Sequence, residues 1–295
     1  MSAARDLARS GAAVLVLLVT LAGGIASASS RVDAGSGRER PAGARYWPSL
    51  PYPTGAQVRA AVIYAAARSA PVAFAVLRPG GRPRGLDVDL QFSSASASKA
   101  LMLAAELRRL RDSDQPLDAA TRQSLEAMIT YSDNAAADLV YARVGDAGMA
   151  EIAERAGMRS FEPISGYWGG AQITAADMAR FYLGLNRNLV RPYRGFGRRL
   201  LAGITEAQRW GIPQAAGRGW QVFFKGGWRP YAVEETSGPV THQAALLRYR
   251  NGERLALAIL TQETPGDPGG YETIEEVARL LLRPPPPGPL RWPAA

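Results

Sequence analysis

The spacing of hydrophobic residues changes twice between residues 54 and 283. A stretch with helical spacing and two alternating stretches come first, a long helical block follows, and alternating stretches return before a final helix. Strict alternation predicts β-strands, because successive side chains of a strand point to opposite faces. The predicted strands cover residues 71–77, 85–92, 219–225, 240–249 and 254–262.

The predicted helices have apolar residues three and four positions apart, which gives each helix one face for a core. They cover residues 55–70, 117–131, 134–144, 147–156, 175–185, 193–204 and 272–282, and a further helix starts near residue 100. We therefore expect an α+β fold, with an antiparallel sheet from about 71–92 and 218–262 flanked by helices and an all-α subdomain inserted at about 100–216. Asn251-Gly252 predicts a hairpin turn between the last two strands.

The two ends of the chain differ from this domain, which we assign to residues 54–283. Residues 1–28 combine a basic start, an apolar run and the small residues Ala26-Ser27-Ala28, which predicts a signal peptide cleaved after Ala28 and an exported protein. An uncleaved membrane anchor is the alternative. We interpret residues 29–53, rich in Gly, Pro, Arg and Ser, as a linker and residues 284–295 as a Pro-rich tail.

The composition excludes several kinds of chemistry. The 295 residues include no cysteine and one histidine, so disulfides, thiol catalysis and a Cys/His zinc site are ruled out, and we expect neither a metal nor a cofactor. The net charge of +9 favours anionic surfaces such as the cell wall. Because the arginines are scattered, nucleic-acid binding is not expected. We also expect a monomer.

Lysine is almost absent from this basic chain. Of 35 lysines and arginines, two are lysine, Lys99 and Lys225. A guanidinium effectively never loses its proton, whereas a buried ammonium can, so these look like positions at which arginine would fail. Chance survival of two lysines is the alternative.

Ser96 and Lys99 stand three residues apart where a Ser/Ala-rich turn opens a helix. This spacing puts both side chains on one helix face, and the helix N-terminus favours negative charge on a serine oxygen. One turn of chain can therefore supply a nucleophile and an amine that takes its proton.

Two more motifs each have a plain structural explanation when taken alone. Ser132-Asp133-Asn134 lies between two predicted helices and would serve as a helix N-cap. Lys225-Gly226-Gly227 ends a predicted strand and would lead into a turn.

Together and in this order, the three motifs resemble those of the penicillin-recognising serine hydrolases, most closely the class A β-lactamases. The stretches 131–140 and 173–181 also look like the corresponding stretches of that family, and the likeness spans about residues 55–282. The resemblance implies a β-lactamase-like fold and an exported serine hydrolase that forms an acyl-enzyme at Ser96. Its substrate would be a small molecule, either a β-lactam or a peptidoglycan peptide.

The resemblance also implies roles for the site residues. Ser96 would attack a carbonyl with Lys99 as its base or proton relay, and Ser132 would pass a proton to the leaving nitrogen. Asn134 would hold a substrate amide and the Lys99 ammonium at once, because its side chain has both a donor and an acceptor. Lys225 would supply a fixed positive charge for a substrate carboxylate.

The third motif departs from the family pattern. Gly226 stands where Thr or Ser is usual, so a hydroxyl donor to the substrate carboxylate is missing. Gly227 completes the motif, and the backbone N–H of Trp228 would form an oxyanion hole with that of the nucleophile. Trp228 is bulky where a small residue is common, and with Tyr167 and Trp168 it would line the substrate groove, although packing is the default for aromatic residues.

Two further assignments complete the expected site. Class A enzymes activate the hydrolytic water with a glutamate in the loop before the Thr174 helix, and Glu162 belongs to the one Glu-Pro pair in that loop. A solvated loop carboxylate is the alternative. His242, the sole histidine, is a candidate substrate-binding residue that replaces the missing hydroxyl, and a half-exposed strand residue is the alternative.

We predict a β-lactamase that works through an acyl-enzyme, with slow deacylation as one form of that activity. The alternatives are a D-alanyl-D-alanine peptidase or esterase acting on peptidoglycan-like substrates, and a non-catalytic cell-wall-binding relative. Retention of Lys99 and Lys225 argues against loss of catalysis. A Ser-His-Asp hydrolase using His242 is disfavoured because the chain has no G-x-S-x-G elbow.

Overall fold

A computed structural model of the chain describes residues 53–230, 238–262 and 269–283. The predicted signal peptide, the linker up to residue 52 and the Pro-rich tail lie outside the described residues. Within the described ranges, no helix combines the length and the apolar character needed to cross a membrane.

Helices and strands follow one another in nearly the predicted order. The strands are β1 (Val72–Leu77), β2 (Arg84–Leu86), β3 (Gln91–Ser93), β4 (Gln172–Thr174), β5 (Trp220–Arg229), β6 (Val240–Tyr249) and β7 (Arg254–Gln262). The α-helices are α1 (Gly55–Ala66), α2 (Lys99–Asp112), α3 (Ala119–Glu126), α4 (Asn134–Ala156), α5 (Ala175–Leu183), α6 (Leu185–Asn188), α7 (Arg194–Ala202), α8 (Ile212–Ala216) and α9 (Gly270–Leu282). Short 3₁₀ turns cover Ala95–Ser98, Trp168–Gly170 and Glu206–Gln208, and a π-helical turn covers Ala127–Tyr131.

The main sheet of the described residues is antiparallel and has the strand order β2-β1-β7-β6-β5. All six residues of β1 are buried, as are seven consecutive residues of β7, because helices cover both faces of the sheet. Helix α5 packs on β1, β6 and β7, and α9 packs on β6 and β7. The expected α+β fold is confirmed, and the predicted hairpin turn follows β6, with Gly252 at φ 89°.

The predicted strand over residues 85–92 is wrong in one respect, because the chain forms two short strands there. Asp87 has a φ of 43°, and the Leu90 N–H donates to its carbonyl, so the chain turns between β2 and β3. Strand β2 joins the main sheet, whereas β3 pairs with β4 in a separate two-stranded ladder. This ladder carries the chain into the turn that holds Ser96.

Helix α2 is the buried centre of the helical region, and α4 packs along it. The two helices are joined by Glu106, which is fully buried on α2 and forms ion pairs with Arg109 and with Arg143 of α4. Gly145 has a non-helical backbone (φ 58°, ψ −172°) and divides α4 into two segments, close to the predicted helices 134–144 and 147–156.

Candidate active site

Ser96 lies in the 3₁₀ turn Ala95–Ser98, directly before α2. Side chains three residues apart eclipse one another in a 3₁₀ helix, so Ser96 and Lys99 share a face. Ala95 has a φ of 44°, an uncommon value for a residue with a side chain, which marks local strain in the turn. Ser96 is half-buried, while its neighbours Ala95 and Ala97 are buried, so the serine is the accessible residue of this part of the turn. We call the space bordered by Ser96, Ser132 and Lys225 the cleft.

Gly227 brings strand β5 against this turn. A Cβ at Gly227 would lie 2.5 Å from the backbone nitrogen of Ala97 and 2.9 Å from that of Ser96, which no side chain could tolerate. The missing side chain therefore lets the backbone that leads into Trp228 approach the backbone of Ser96. This approach is what the predicted oxyanion hole requires.

Lys99 is fully buried and donates to the loop that carries the second motif. Its Nζ lies 2.7 Å from the Ser132 carbonyl, 2.8 Å from Asn134 Oδ1 and 3.2 Å from the Asp133 carbonyl. Burial lowers the pKa of Lys99 to about 8, against the opposing charges of Asp133 and Asp138. This lysine therefore loses its proton more readily near neutral pH than an exposed lysine does.

The second motif is both a helix cap and part of the site. Asp133 accepts the N–H of Ala136 and caps α4, as its residue type predicts. Ser132 has a left-handed backbone (φ 60°, ψ 31°) at the end of the π-helical turn. This conformation leaves Asn134 Oδ1 and the Ser132 carbonyl free to accept from Lys99.

Lys225 reaches the same serine from the opposite side of the cleft. Its side chain is fully buried, and its Nζ lies 3.0 Å from Ser132 Oγ and 2.9 Å from the Gly226 carbonyl. Burial, and then the charge of Lys99, holds the pKa of Lys225 well below its usual range. Because Ser132 Oγ accepts from Lys225, its own proton is available to the cleft.

The structure therefore brings Lys99, Ser132, Asn134 and Lys225 into one hydrogen-bonded network beside the turn of Ser96. No described hydrogen bond joins Ser96 to Lys99, since the ammonium is directed toward the Ser132 loop. Catalytic hydrogen bonds are often long before substrate binds, so this arrangement is compatible with proton transfer from Ser96.

Glu162 lies outside this network, and its assignment as the base for deacylation stays a prediction. Its side chain is exposed, and its backbone pairs with Gln172 at the end of the β3–β4 ladder. Trp168 of the same loop faces Lys99 instead, with its ring centre 4.7 Å from Nζ. The indole N–H donates to Asp138 Oδ1 at 2.8 Å.

His242 is buried in the sheet rather than half-exposed, and its assignment as a substrate-binding residue stays a prediction. It pairs with Gly227 and therefore points to the same face of the sheet, where it is fully buried. The N–H of Thr261 donates to its Nδ1 at 3.2 Å, so Nε2 carries the proton and donates to the Ser93 carbonyl at 3.0 Å. Both ring nitrogens thus have backbone partners, and the histidine supports the turn of the nucleophile from below.

Aromatic rings cover the end of the cleft beside Gly226. Trp228 and Tyr271 both pack edge-to-face against Trp210. A Cβ at Gly226 would lie 3.6 Å from the His242 carbonyl and 3.7 Å from the ring of Trp210, which are ordinary contact distances. The position therefore has room for a small side chain that this sequence lacks.

The sequence also matches a known protein family. A family model described as the β-lactamase enzyme family matches residues 107–283, more than half of the chain. The chain belongs to the β-lactamase enzyme family. The resemblance predicted from the three motifs is thereby confirmed, and the chain is a class A β-lactamase-like serine hydrolase. The search of curated proteins gave no match.

Solved structures of similar shape agree with this membership. The β-lactamase from Sphaerobacter thermophilus DSM 20745 is 21% identical with a TM-score of 0.67, over 79% of this chain and 98% of that chain. PBP-A is 18% identical with a TM-score of 0.65, over 79% of this chain and 98% of that chain. A PBP-A variant with 18% identity, a TM-score of 0.65 and the same coverage, 79% of this chain and 98% of that chain, was solved as an acyl-enzyme complex with penicillin G. At such identities the likeness shows the β-lactamase fold.

Sequence reasoning missed two residues of this β-lactamase-family site. Asp138 lies four residues after Asn134 on α4, a spacing that puts both on one helix face and could have signalled it. Trp210 comes from the segment before α8, and no local pattern indicates that it reaches Gly226. Among the described residues, no cluster of His, Cys, Asp or Glu is placed to hold a metal ion.

The buried His242 predicts a pH dependence of stability. Burial lowers its pKa to about 4 from the ordinary 6.5, so the unfolded chain binds this proton at a higher pH than the folded protein does. Its stabilising contribution is therefore complete above about pH 6.5 and is lost as the pH falls toward 4, by roughly 3 kcal/mol in total. Urea unfolding between those pH values should show this loss in the native protein and not in His242→Gln; parallel curves for the two proteins would contradict it.

Proposed function

We propose that this protein is an exported serine hydrolase that β-lactams acylate at Ser96 and that releases the acyl group slowly. One observation carries the proposal: Lys99 is held by the Ser132 loop on one side and faces the indole of Trp168 on the other. The contact with the Ser132 loop joins Lys99 to the residues that would carry out acylation. The indole occupies the side of Lys99 on which a base for hydrolysis would be needed.

Acylation follows from the network around Ser96. Lys99, with a pKa of about 8, is a base matched to neutral pH and takes the proton of Ser96 as its oxygen attacks the carbonyl. Ser132 then gives its proton to the leaving nitrogen, and the lysine side chains that contact Ser132 Oγ at 3.0 Å and 3.4 Å restore it. The amide N–H₂ of Asn134 is left to bind a substrate carbonyl, since its oxygen is already held by Lys99.

Slow release follows from the surroundings of Trp168. An indole has no basic group, so it cannot activate water for attack on the acyl-enzyme. Asp138 is the carboxylate next to it, but one of its oxygens already accepts the indole N–H. Glu162 points to solvent. The acyl group therefore lacks a well-placed carboxylate base for its hydrolysis, and the indole covers one side of Lys99.

A second candidate function is a peptidase or esterase of peptidoglycan-like substrates, and the end of the cleft near Gly226 favours it. The hydroxyl that would bind a substrate carboxylate is absent, because Gly226 has no side chain. The rings of Trp210 and Trp228 offer an apolar surface instead. Such a surface suits an acyl donor whose group at this end is uncharged.

Export and a cell-wall setting are part of the proposal. The basic and apolar N-terminal segment ending at Ala28 supports secretion, and the net charge of +9 suits work next to anionic wall polymers. Either substrate class would be met outside the cytoplasm.

Intact-protein mass spectrometry over time tests the proposal. After mixing with penicillin G, the protein should gain the mass of one drug molecule at Ser96 and keep it long after free drug is removed. Ser96→Ala should gain none. Rapid loss of drug without a lasting adduct would mean efficient hydrolysis and contradict slow release, and absence of both would leave the peptidase or esterase function.

Replacing Trp168 tests why release is slow. Trp168→Glu puts a carboxylate where the indole faces Lys99, so the lifetime of the penicillin adduct should shorten by roughly tenfold or more. Trp168→Gln removes the same ring without adding a base and serves as the control. Equal lifetimes in the two variants, both shown to be folded by circular dichroism, would rule out the missing base as the cause.

Restoring the hydroxyl at Gly226 tests the carboxylate end of the cleft. Gly226→Ser should raise the rate of acylation by penicillin G roughly 10- to 100-fold, as expected of one hydrogen bond to a charged group. Gly226→Ala fills the same space without a donor and should change little. The gain should vanish with an uncharged ester substrate, and a rise of the same size in both variants would contradict the argument.

A further inference from the structure

A cavity lies between α2 and α4, outside the network of Ser96. Its volume is about 380 Å³, and three arginines line it, Arg108, Arg109 and Arg143. Arg108 follows Lys99 by nine residues on α2, or about 13 Å along the helix axis. The acylation chemistry uses none of these arginines.

Arg108 is the unusual member of the three. Its side chain is 8% exposed, and its Nε is buried without a hydrogen-bond partner in the described part of the chain. The described residues also provide no carboxylate within ion-pair distance of its guanidinium. A buried cation in this state is costly unless something pairs with it, so the cavity in front of it is the place to look for a counter-ion.

The charges around the cavity do not balance among the described residues. Arg111 pairs with Asp112, and Arg155 pairs with Glu151. Arg109 and Arg143 share the single carboxylate of Glu106, which is not part of the lining, whereas Asp112 and Glu151 belong to the lining itself. Five guanidiniums, counting Arg108, thus face three carboxylates, which leaves an excess of two positive charges. A dianion would neutralise this excess.

The helix ends at the cavity act in opposite directions. Gly145 interrupts α4, so the second segment of that helix begins beside the cavity, with Gly148 in its first turn and on the lining. Its free N–H groups favour an anion. The last turn of α2, including Asp112 and Ser113, also lines the cavity and disfavours one. The guanidiniums must therefore supply the net attraction.

We propose that this cavity is a binding site for a small oxyanion of the phosphate type, held by Arg108 together with Arg109 and Arg143. The planar guanidinium of Arg108 matches the oxygen spacing of such an ion and can bind it through two parallel hydrogen bonds. Arg109 and Arg143 already donate to Glu106 and add mainly their positive charge. Because the site joins α2 to α4, its occupancy stabilises the helical region that carries Lys99.

Thermal unfolding of the full chain in inorganic phosphate, compared with chloride at equal ionic strength, tests this site. We expect a saturable rise in Tm, roughly 5–10 °C at a phosphate concentration about a hundred times the Kd. Arg108→Met should abolish the rise, and calorimetric titration at 25 °C should lose the binding heat in the same variant.

The matched control is Arg59→Met, which removes one exposed arginine from α1 and should keep the full response. Arg108→Met also removes a buried unpaired charge, so without phosphate it should be at least as stable as the native protein. A phosphate response that is absent from the native protein, or that is equal in the two variants, would overturn the proposal.

Discussion

Two buried lysines share one serine hydroxyl, and the site depends on that arrangement. Lys99 comes from α2, Lys225 from β5, and Ser132 from the loop before α4. The two ammonium groups repel each other, so each is held by carbonyl oxygens that offset part of the cost of burial. Arginine cannot replace either, because a guanidinium is larger and keeps its proton. This is the physical reason why lysine occurs at these two positions of an otherwise arginine-rich chain.

A steric constraint accompanies the electrostatic one. Gly227 allows β5 to contact the turn of Ser96. Its partner on β6, His242, lies on the same face of the sheet, beneath that turn. The imidazole then donates to the Ser93 carbonyl and accepts the N–H of Thr261, and the second of these hydrogen bonds needs a neutral ring. The reactive serine is thus supported by packing and by backbone partners rather than by charge.

Sequence reasoning succeeded where the chemistry depends on local spacing. Ser96 and Lys99 lie within one turn, and Ser132 and Asn134 flank a cap, so their positions follow from helix geometry. It does not reach features that depend on which way a loop or strand faces. Glu162 and Trp168 lie on the same loop, and only the hydrogen bonds of that loop to the Ser94–Ser98 segment decide that the indole faces Lys99. The sequence also did not indicate the turn at Asp87 between β2 and β3, because a positive φ leaves the alternating pattern of side chains intact.

Those same loop hydrogen bonds have a kinetic meaning. The Trp168 carbonyl accepts from the hydroxyls of Ser94 and Ser98, and the Gly169 carbonyl accepts from Ser93, so the loop and the reactive turn form one rigid unit. Under the proposed function, acylation of Ser96 and hydrolysis of the acyl-enzyme would depend on different side chains held by this unit. If hydrolysis is slow, the fraction of molecules that carry an acyl group would reflect the cumulative exposure to the acylating compound rather than its momentary concentration. The indole of Trp168 would then determine how long the protein keeps its acyl group.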